Sequence, residues 1–329
     1  MPKVMIAPAP LARLDGDFLT VLAGAGFEFV YPKKAVQMVE QDLLDQMTGV
    51  AAALAGSEPY TRKVFAANPH LKVVARVGVG YDAVDVQAAT DHGVVVTIAP
   101  GTNQHSVSEH CFMLILALAR NLMAQHPFIR DGGWPRQANQ PLRGKTLGLV
   151  GLGRIGKSMT TRAHAFGMKV IAYDPFPDTA FASKNNVPFV GLDDLLREAD
   201  YVSLHLPAIP ATHRLINAER LRLMKPTAFL INTARGAVVD EVALYEALRD
   251  KRIAGAGLDV FDEEPPRPDN PILKLDNVVM TSHTAGVDTQ SRDDMARKAA
   301  ECIAALSRGD WPADCVVNPE VKARFGWTG

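Results

Sequence analysis

The stretch 147-LGLVGLGRIGKSMTTRAHAFGMKVIAYDPF-176 decides the fold. An apolar run leads into Gly151, Gly153 and Gly156, which open a helix-compatible segment. A second apolar run then ends in Asp174, about twenty residues past the glycines. Glycines alone are common in turns, but strand, glycines, helix and acid in this order have a physical logic. Gly151 permits a tight turn, Gly153 lets the backbone approach a pyrophosphate, and Gly156 allows close packing of helix on strand. The helix N-terminus, at Arg154 and Ile155, offers free N–H groups to phosphates. Asp174 can accept hydrogen bonds from adenosine ribose hydroxyls, and it would repel a 2′-phosphate. Pro175 and Phe176 bring no cation to offset it, so the pattern favours NAD over NADP.

Strand-like runs continue outward on the C-terminal side: 147–151, 169–174, 201–207, 228–234, 254–260 and 277–283, alternating with helical or loop segments. Six such strands match a doubly wound dinucleotide-binding sheet. Before them lies 103-NQHSVSEHCFMLILALARN-121, a helix that Asn103 can cap, and a Gly/Pro/Gln-rich connector at 131–145. The first hundred residues form a second system. Strand-like runs at 3–8, 27–32, 51–56, 71–77 and 94–100 alternate with short helix-compatible segments, which implies another parallel sheet covered on both faces. A last helix at 293–309 lies beyond the glycine-containing sheet and can return to this first domain.

A chain of 329 residues suits about two domains at ~150 residues each. The formal net charge of −1 provides no global field to recruit nucleic acid or an anionic membrane. Cys111, Cys302 and Cys315 share no metal-ligand spacing, so no metal site is expected, and the count fits a reducing cytoplasm rather than a disulfide framework. The apolar run in MPKVMIAPAPLARLDG (1–16) is short and broken by prolines, so no targeting segment is expected. The longest apolar stretch, 111-CFMLILALA-119, falls far below the ~20 residues that cross a bilayer.

In a doubly wound sheet, ligands sit beyond the carboxyl ends of the strands. Here the fourth strand of the second system runs into 232-NTARGAVVD-240, the fifth into 257-GLDVFDEEPP-266 and the sixth into 278-VVMTSHTAG-286. These bring Arg235, then Asp259 and Glu264, then His283 toward one rim. Singly each has an ordinary reading: a solvated cation, an acidic loop, a hydrogen-bonded rim histidine. Together they form a reactive set. Arginine grips a carboxylate in two-pronged fashion, histidine exchanges a hydroxyl proton, and a neighbouring glutamate favours the imidazolium.

With these residues the chain resembles the D-isomer-specific 2-hydroxyacid dehydrogenases. The matching pieces are RVGVGYDAVD (76–85), SVSEHCFMLILALAR (106–120), LVGLGRIG (149–156), HLP (205–207), NTARG (232–236), LDVFDEEP (258–265) and SHTAG (282–286). The resemblance implies two α/β parallel-sheet domains, a Rossmann NAD-binding domain (103–286) inserted in a flavodoxin-like substrate domain (1–102 with 287–329). It implies that Arg235 binds the substrate carboxylate and keto oxygen, Glu264 orients and charges His283, and His283 is the acid/base. The cofactor set it implies comprises Gly151, Gly153, Arg154, Ile155, Gly156, Asp174, His205, Leu206, Pro207, Thr212, Thr233, Ala234, Asp259 and His283. Asp259 and the backbone near Ala234 would hold the nicotinamide carboxamide. Val77, Gly78, Val79, Gly80 and Asn103 would meet the substrate, with the amides of 78–80 receiving its carboxylate.

The expected activity is hydride transfer between NAD(H) and a small D-2-hydroxy or 2-keto acid of the hydroxypyruvate or glyoxylate type, in a homodimer. Two alternatives stand beside it. One is a phosphorylated substrate, as in phosphoglycerate dehydrogenases; against it, Ala55 and Gly56 stand where a phosphate-binding cation is expected, with Arg62 and Lys63 following. The other is an NAD-sensing scaffold like the corepressors related to this family; the full Arg235, Glu264 and His283 set argues for catalysis. Glu264 as a carboxylate rather than an amide also argues for an alcohol–ketone couple and against formate oxidation.

Overall fold

The computed structural model describes every residue except Lys34, Ala35, Pro135, Thr328 and Gly329. One position of the connector and the last two residues expected in the first domain therefore lie outside the described residues. The chain divides into two compact units, Met1–Asn103 with Asp288–Gly329, and Gln104–Val287.

The first unit begins with β1 (Lys3–Ile6), α1 (Asp17–Gly24), β2 (Glu28–Val30), α2 (Glu40–Gln46), β3 (Val50–Ala55), α3 (Arg62–Ala67), β4 (Val73–Arg76), α4 (Val86–Asp91) and β5 (Val95–Thr97). The strands pair in parallel in the order β2-β1-β3-β4-β5, the flavodoxin-like arrangement. Val, Ala and Leu fill β3, and Val and Ala the first three positions of β4 before Arg76, because both faces are covered. The caps are local: Thr61 Oγ1 accepts from the Val64 N–H, and Asp85 Oδ1 from the Ala88 N–H, satisfying donors a helix start leaves open.

The second unit runs α5 (Gln104–Ala119), α6 (Leu122–Arg130), β6 (Thr146–Val150), α7 (Arg154–Ala165), β7 (Lys169–Tyr173), α8 (Thr179–Lys184), α9 (Leu192–Glu198), β8 (Tyr201–Leu204), α10 (Ala218–Leu223), β9 (Phe229–Asn232), α11 (Glu241–Arg249), β10 (Gly255–Leu258) and β11 (Val278–Met280). Its parallel strands order as β11-β10-β9-β8-β6-β7. Beyond β7 the sheet gains one further bridge, Ala172 to Phe189, with Ala172 N–H donating to Pro188 O and Val190 N–H to Ala172 O, both 3.0 Å. Counting that bridge, the chain reverses direction between β6 and β8 as in a dinucleotide-binding sheet. Pro188 has no N–H to extend the ladder, so this edge never becomes a strand and carries no periodic signal. The chain then returns to the first unit through α12 (Thr289–Ser307). Asp288 caps it, Oδ1 accepting from the Ser291 N–H at 2.7 Å, so the helix starts four residues before the expected 293.

One core layer of the second unit gathers Val150, Leu204, Leu230, Ala256 and Val278 under α9, α10 and α11. The other gathers Cys111, Leu114, Ile115, Met159 and Ile231 under α5 and α7. Helix α6 was absent from the sequence expectation. It buries no residue and contains Pro127, a helix-interrupting residue that argues against a helix there. Among the described residues no single helix is long and apolar enough to cross a membrane; α5 and α6 pass only as a pair bent by 62°, and α5 is a core helix of this unit.

Gly257 on β10 lets α5 settle: a Cβ there would stand 2.9 Å from Leu114 Cβ and 3.1 Å from Ile231 Cδ1. Gly257→Ala should therefore cost about 1–3 kcal/mol through overpacking, read as a lower urea midpoint with unchanged slope.

Candidate active site

The cofactor end starts at the turn after β6. Gly151 has φ +104°, and a Cβ on it would lie 2.6 Å from the His205 carbonyl oxygen. A Cβ on Gly156 would lie 2.3 Å from Gly151 O. Both positions demand glycine for the protein's own packing. Gly153 differs: a Cβ there would meet nothing within 4 Å. Its φ of −72° is open to any residue. The space it leaves lies at the N-terminus of α7, where Arg154 and Ile155 begin the helix and the first N–H groups have no intrahelical partner.

Asp174 is held in place. Its Oδ2 accepts from the Leu152 N–H and its Oδ1 from the Phe176 N–H, each at 2.8 Å. Each oxygen keeps a further lone pair for a ribose hydroxyl. Lys157 is committed to Asp178 at 2.6 Å and offers no cation for a 2′-phosphate. After β8, the His205 N–H donates to Val150 O and its Nε2 lies 3.0 Å from Ser203 Oγ. Burial pushes the His205 imidazole down to about 3, and its buried Nδ1 has no partner among the described residues. Leu206 is half-buried and packs against the core. Thr212 closes its own loop, accepting from the Ile209 N–H and donating to Pro207 O at 2.5 Å. Thr233 Oγ1 lies 3.0 Å from Cys111 Sγ; burial pushes that thiol up to about 12, which makes Cys111 inert packing.

At the reactive end, the loops after β9 and β10 touch. A Cβ on Gly236 would fall 1.9 Å from Phe261 O, so only glycine lets these loops close. Asn232 fixes the turn: its Oδ1 accepts from the Ala234 N–H and its Nδ2 donates to Arg235 O. Arg235 donates to Ala234 O at 2.6 Å. Glu264 Oε1 accepts from the Phe261 N–H at 3.0 Å, and Oε2 lies 2.6 Å from His283 Nδ1. Burial pushes the Glu264 carboxyl up, but the bond and charge of His283, the Phe261 amide and the charge of Arg235 outweigh it and hold the group below the usual carboxylate range. A carboxylate only accepts, so Nδ1 carries the hydrogen and Nε2 is the nitrogen left for chemistry.

His283 has φ +55°, a left-handed conformation that costs a non-glycine residue of order 1–3 kcal/mol. Asp259 holds it there. This carboxylate is 1% exposed; its Oδ1 accepts from the Thr281 hydroxyl at 2.6 Å and the Thr284 N–H at 2.9 Å, and its Oδ2 from the Ala285 N–H at 2.9 Å. The His283 N–H donates to the Asp259 carbonyl at 2.8 Å. Sequence reasoning singled out Asp259 but missed Gly236 and Thr281, although the NTARG and SHTAG runs contain or adjoin both.

In the first unit, Arg76 ties down the loop after β4, Nε donating to Gly80 O at 2.8 Å and Nη1 to Ala55 O at 3.1 Å. The N–H groups of Gly78, Val79 and Gly80 have no acceptor among the described residues, and Val77 through Gly80 are half-buried. Asn103, buried, ends this unit's first segment.

The family model described as D-isomer specific 2-hydroxyacid dehydrogenase, NAD binding domain, matches residues 112–285. The chain belongs to that family. A glyoxylate reductase of Korarchaeum cryptofilum is 43% identical to this dehydrogenase over 275 residues, 82% of each chain. A D-3-phosphoglycerate dehydrogenase of Methanocaldococcus jannaschii is 39% identical over 292 residues, 87% of this chain and 55% of the relative; the chain spans about half of that longer protein. Among solved structures, the D-lactate dehydrogenase of Aquifex aeolicus complexed with NAD and lactic acid superposes with TM-score 0.84 at 28% identity, covering 96% of this chain and 98% of the other. NAD is the dehydrogenase's cofactor, and the open cradle at Gly153 beside an anchored Asp174 fits it.

The contrast among the glycines is testable. Gly153→Ala should leave the unfolding midpoint within about 0.5 kcal/mol of wild type yet weaken NADH binding about tenfold or more, followed by fluorescence titration. Gly151→Ala should instead unfold early, because its Cβ meets backbone.

Proposed function

We propose that this dehydrogenase reduces a small, unphosphorylated 2-keto acid of the glyoxylate or hydroxypyruvate type, with His283 as acid/base, Glu264 orienting it and Arg235 binding the substrate carboxylate. The supporting observation is the 2.6 Å contact between His283 Nδ1 and Glu264 Oε2, with the charge of Arg235 reaching the same carboxylate. Bound NADH supplies the hydride. His283 Nε2 then holds the proton for the forming alkoxide, and Glu264 stabilises the imidazolium before transfer. Arg235 grips the carboxylate and offsets negative charge at the keto oxygen, a contribution worth several kcal/mol where water is excluded. Asp174 and the Gly151–Gly156 loop anchor the dinucleotide, with His205, Leu206, Pro207, Thr212, Thr233 and Ala234 lining its path. In the first unit the open amides of Gly78, Val79 and Gly80, together with Val77 and Asn103, are assigned to substrate.

The unphosphorylated substrate has its own support. A Cβ at Gly56 would stand 2.7 Å from Glu58 Oε1, so a buried carboxylate lies under the position where a phosphate would need a cation. Arg62 is paired with Asp91 at 2.8 Å and Lys63 with Glu40 at 3.4 Å, so both cations already have anionic partners. Following NADH oxidation over a panel of keto acids tests the proposal: glyoxylate and hydroxypyruvate should be turned over well ahead of 3-phosphohydroxypyruvate. His283→Ala or Arg235→Ala should lower kcat/KM by about 10²–10⁴, and wild-type values in either variant would remove the role given to that residue.

We also place the protein in the cytoplasm as a homodimer. Three free thiols support the reducing compartment, and cell fractionation checks it. For the dimer, a groove of about 590 Å³ is lined by Phe112, Met113, Leu116, Leu122 and Phe166 together with Glu109, Arg120 and Arg162, and Met123, Phe128 and Ile129 of α6 are exposed. Apolar side chains left in water on α5 and α6 support an interaction surface there. Sedimentation should give twice the chain mass, and Met113→Asp with Leu122→Asp should halve it.

A further inference from the structure

We propose that His110, on α5, is a positioning residue for His283, acting through Thr281 and Asp259; this rests on the reading of His283 as the acid/base. His110 Nε2 lies 2.8 Å from Thr281 Oγ1 and 3.5 Å from Asp259 Oδ1. The direction of each bond follows from what the groups can do. An ionised carboxylate only accepts, so the single hydroxyl proton of Thr281 goes to Asp259 at 2.6 Å. Thr281 Oγ1 is then left as an acceptor toward the ring, and His110 must carry its hydrogen on Nε2. The result is a one-way chain of donors, His110 to Thr281 to Asp259, ending on the carboxylate that also accepts from Thr284 and Ala285.

These contacts bracket residue 283 on both sides. Thr281 precedes it by two residues, Thr284 and Ala285 follow it, and its own N–H is bound to the Asp259 carbonyl. A second tether runs from the same helix: the Ser106 hydroxyl donates to Ala285 O at 2.8 Å. Residues 106 and 110 are one helical turn apart and share a face, so α5 splints the 281–285 segment at both ends. His283 is held in its left-handed backbone because that segment is pinned. Without the His110 donor, Thr281 Oγ1 loses its partner on the helix side and the hydroxyl can rotate away from Asp259. The 2.6 Å His283–Glu264 contact then loses its fixed base.

The test compares His110→Leu, which removes the donor, with His110→Gln, whose amide N–H can reach the same oxygen. The spectroscopic readout is the low-field proton resonance of the short Nδ1–H bond from His283 to Glu264, assigned by its loss in His283→Ala. His110→Leu should broaden or abolish that resonance and lower kcat about tenfold, while KM for NADH changes less than about twofold. His110→Gln should recover the resonance and most of the kcat. An unchanged resonance with wild-type kcat in His110→Leu overturns the proposal, and so does a Gln variant as impaired as the Leu variant. If His110→Leu does not fold, the resonance and kcat of His110→Gln decide alone, and loss of both overturns it. Failure of the acid/base reading is distinguishable: full turnover in His283→Ala refutes that reading, whereas the resonance reports the His110 contact without turnover.

Discussion

A carboxylate sealed from water must be answered by donors, and Asp259 is where that demand organises the reactive end. An unpaired buried charge is far more costly than a buried neutral group. The loop after β11 supplies a hydroxyl and two backbone amides to Asp259. Meeting the demand leaves the intervening residue little conformational choice, and that residue is His283. The left-handed backbone at 283 thus goes with satisfying a neighbour. Without the buried acid, the three bonds that the 281–285 segment makes to its carboxylate are lost.

Close approach of backbones is the second constraint, and it acts through glycines of different kinds. Gly151, Gly156 and Gly236 each stand against a carbonyl that a methyl group would strike. They bring β6 to β8, α7 to the turn that starts it, and the Arg235 loop to the Glu264 loop. Gly153 stands against nothing, so its lack of a side chain serves whatever approaches from outside. Packing explains three of these glycines and leaves one to be explained by a ligand, which is a sharper statement about the cofactor than the spacing of the glycines provides.

What could be read from the residues follows the same division. The strands of both sheets were legible because buried parallel strands are continuous apolar runs bounded by turns. That Arg235, Glu264 and His283 come together could be expected because they lie in the loops after successive strands, and Glu264 does meet His283 and the charge of Arg235. The Phe189 bridge was not legible, since Pro188 interrupts its ladder, and α6 was not, since Pro127 sits inside it and none of its residues is buried. His110 lies within a core helix. Nothing in SVSEHCFMLILALAR separates a histidine that meets Thr281, far away in the chain, from one that faces solvent. Contacts of that range exist only once the fold is assembled.

Asp259 and Glu264 show how environment divides labour between two like groups. They lie five residues apart after the same strand and carry the same functional group. Asp259 is walled in, with three of its roughly four acceptor positions taken by backbone and hydroxyl donors. Glu264 keeps about a third of its side chain open and spends one oxygen on a backbone amide and the other on an imidazole. Two carboxylates whose surroundings separate their tasks are a recurring design for acid–base chemistry near neutral pH. In this dehydrogenase one is sealed among loop donors and the other stays partly open against an imidazole.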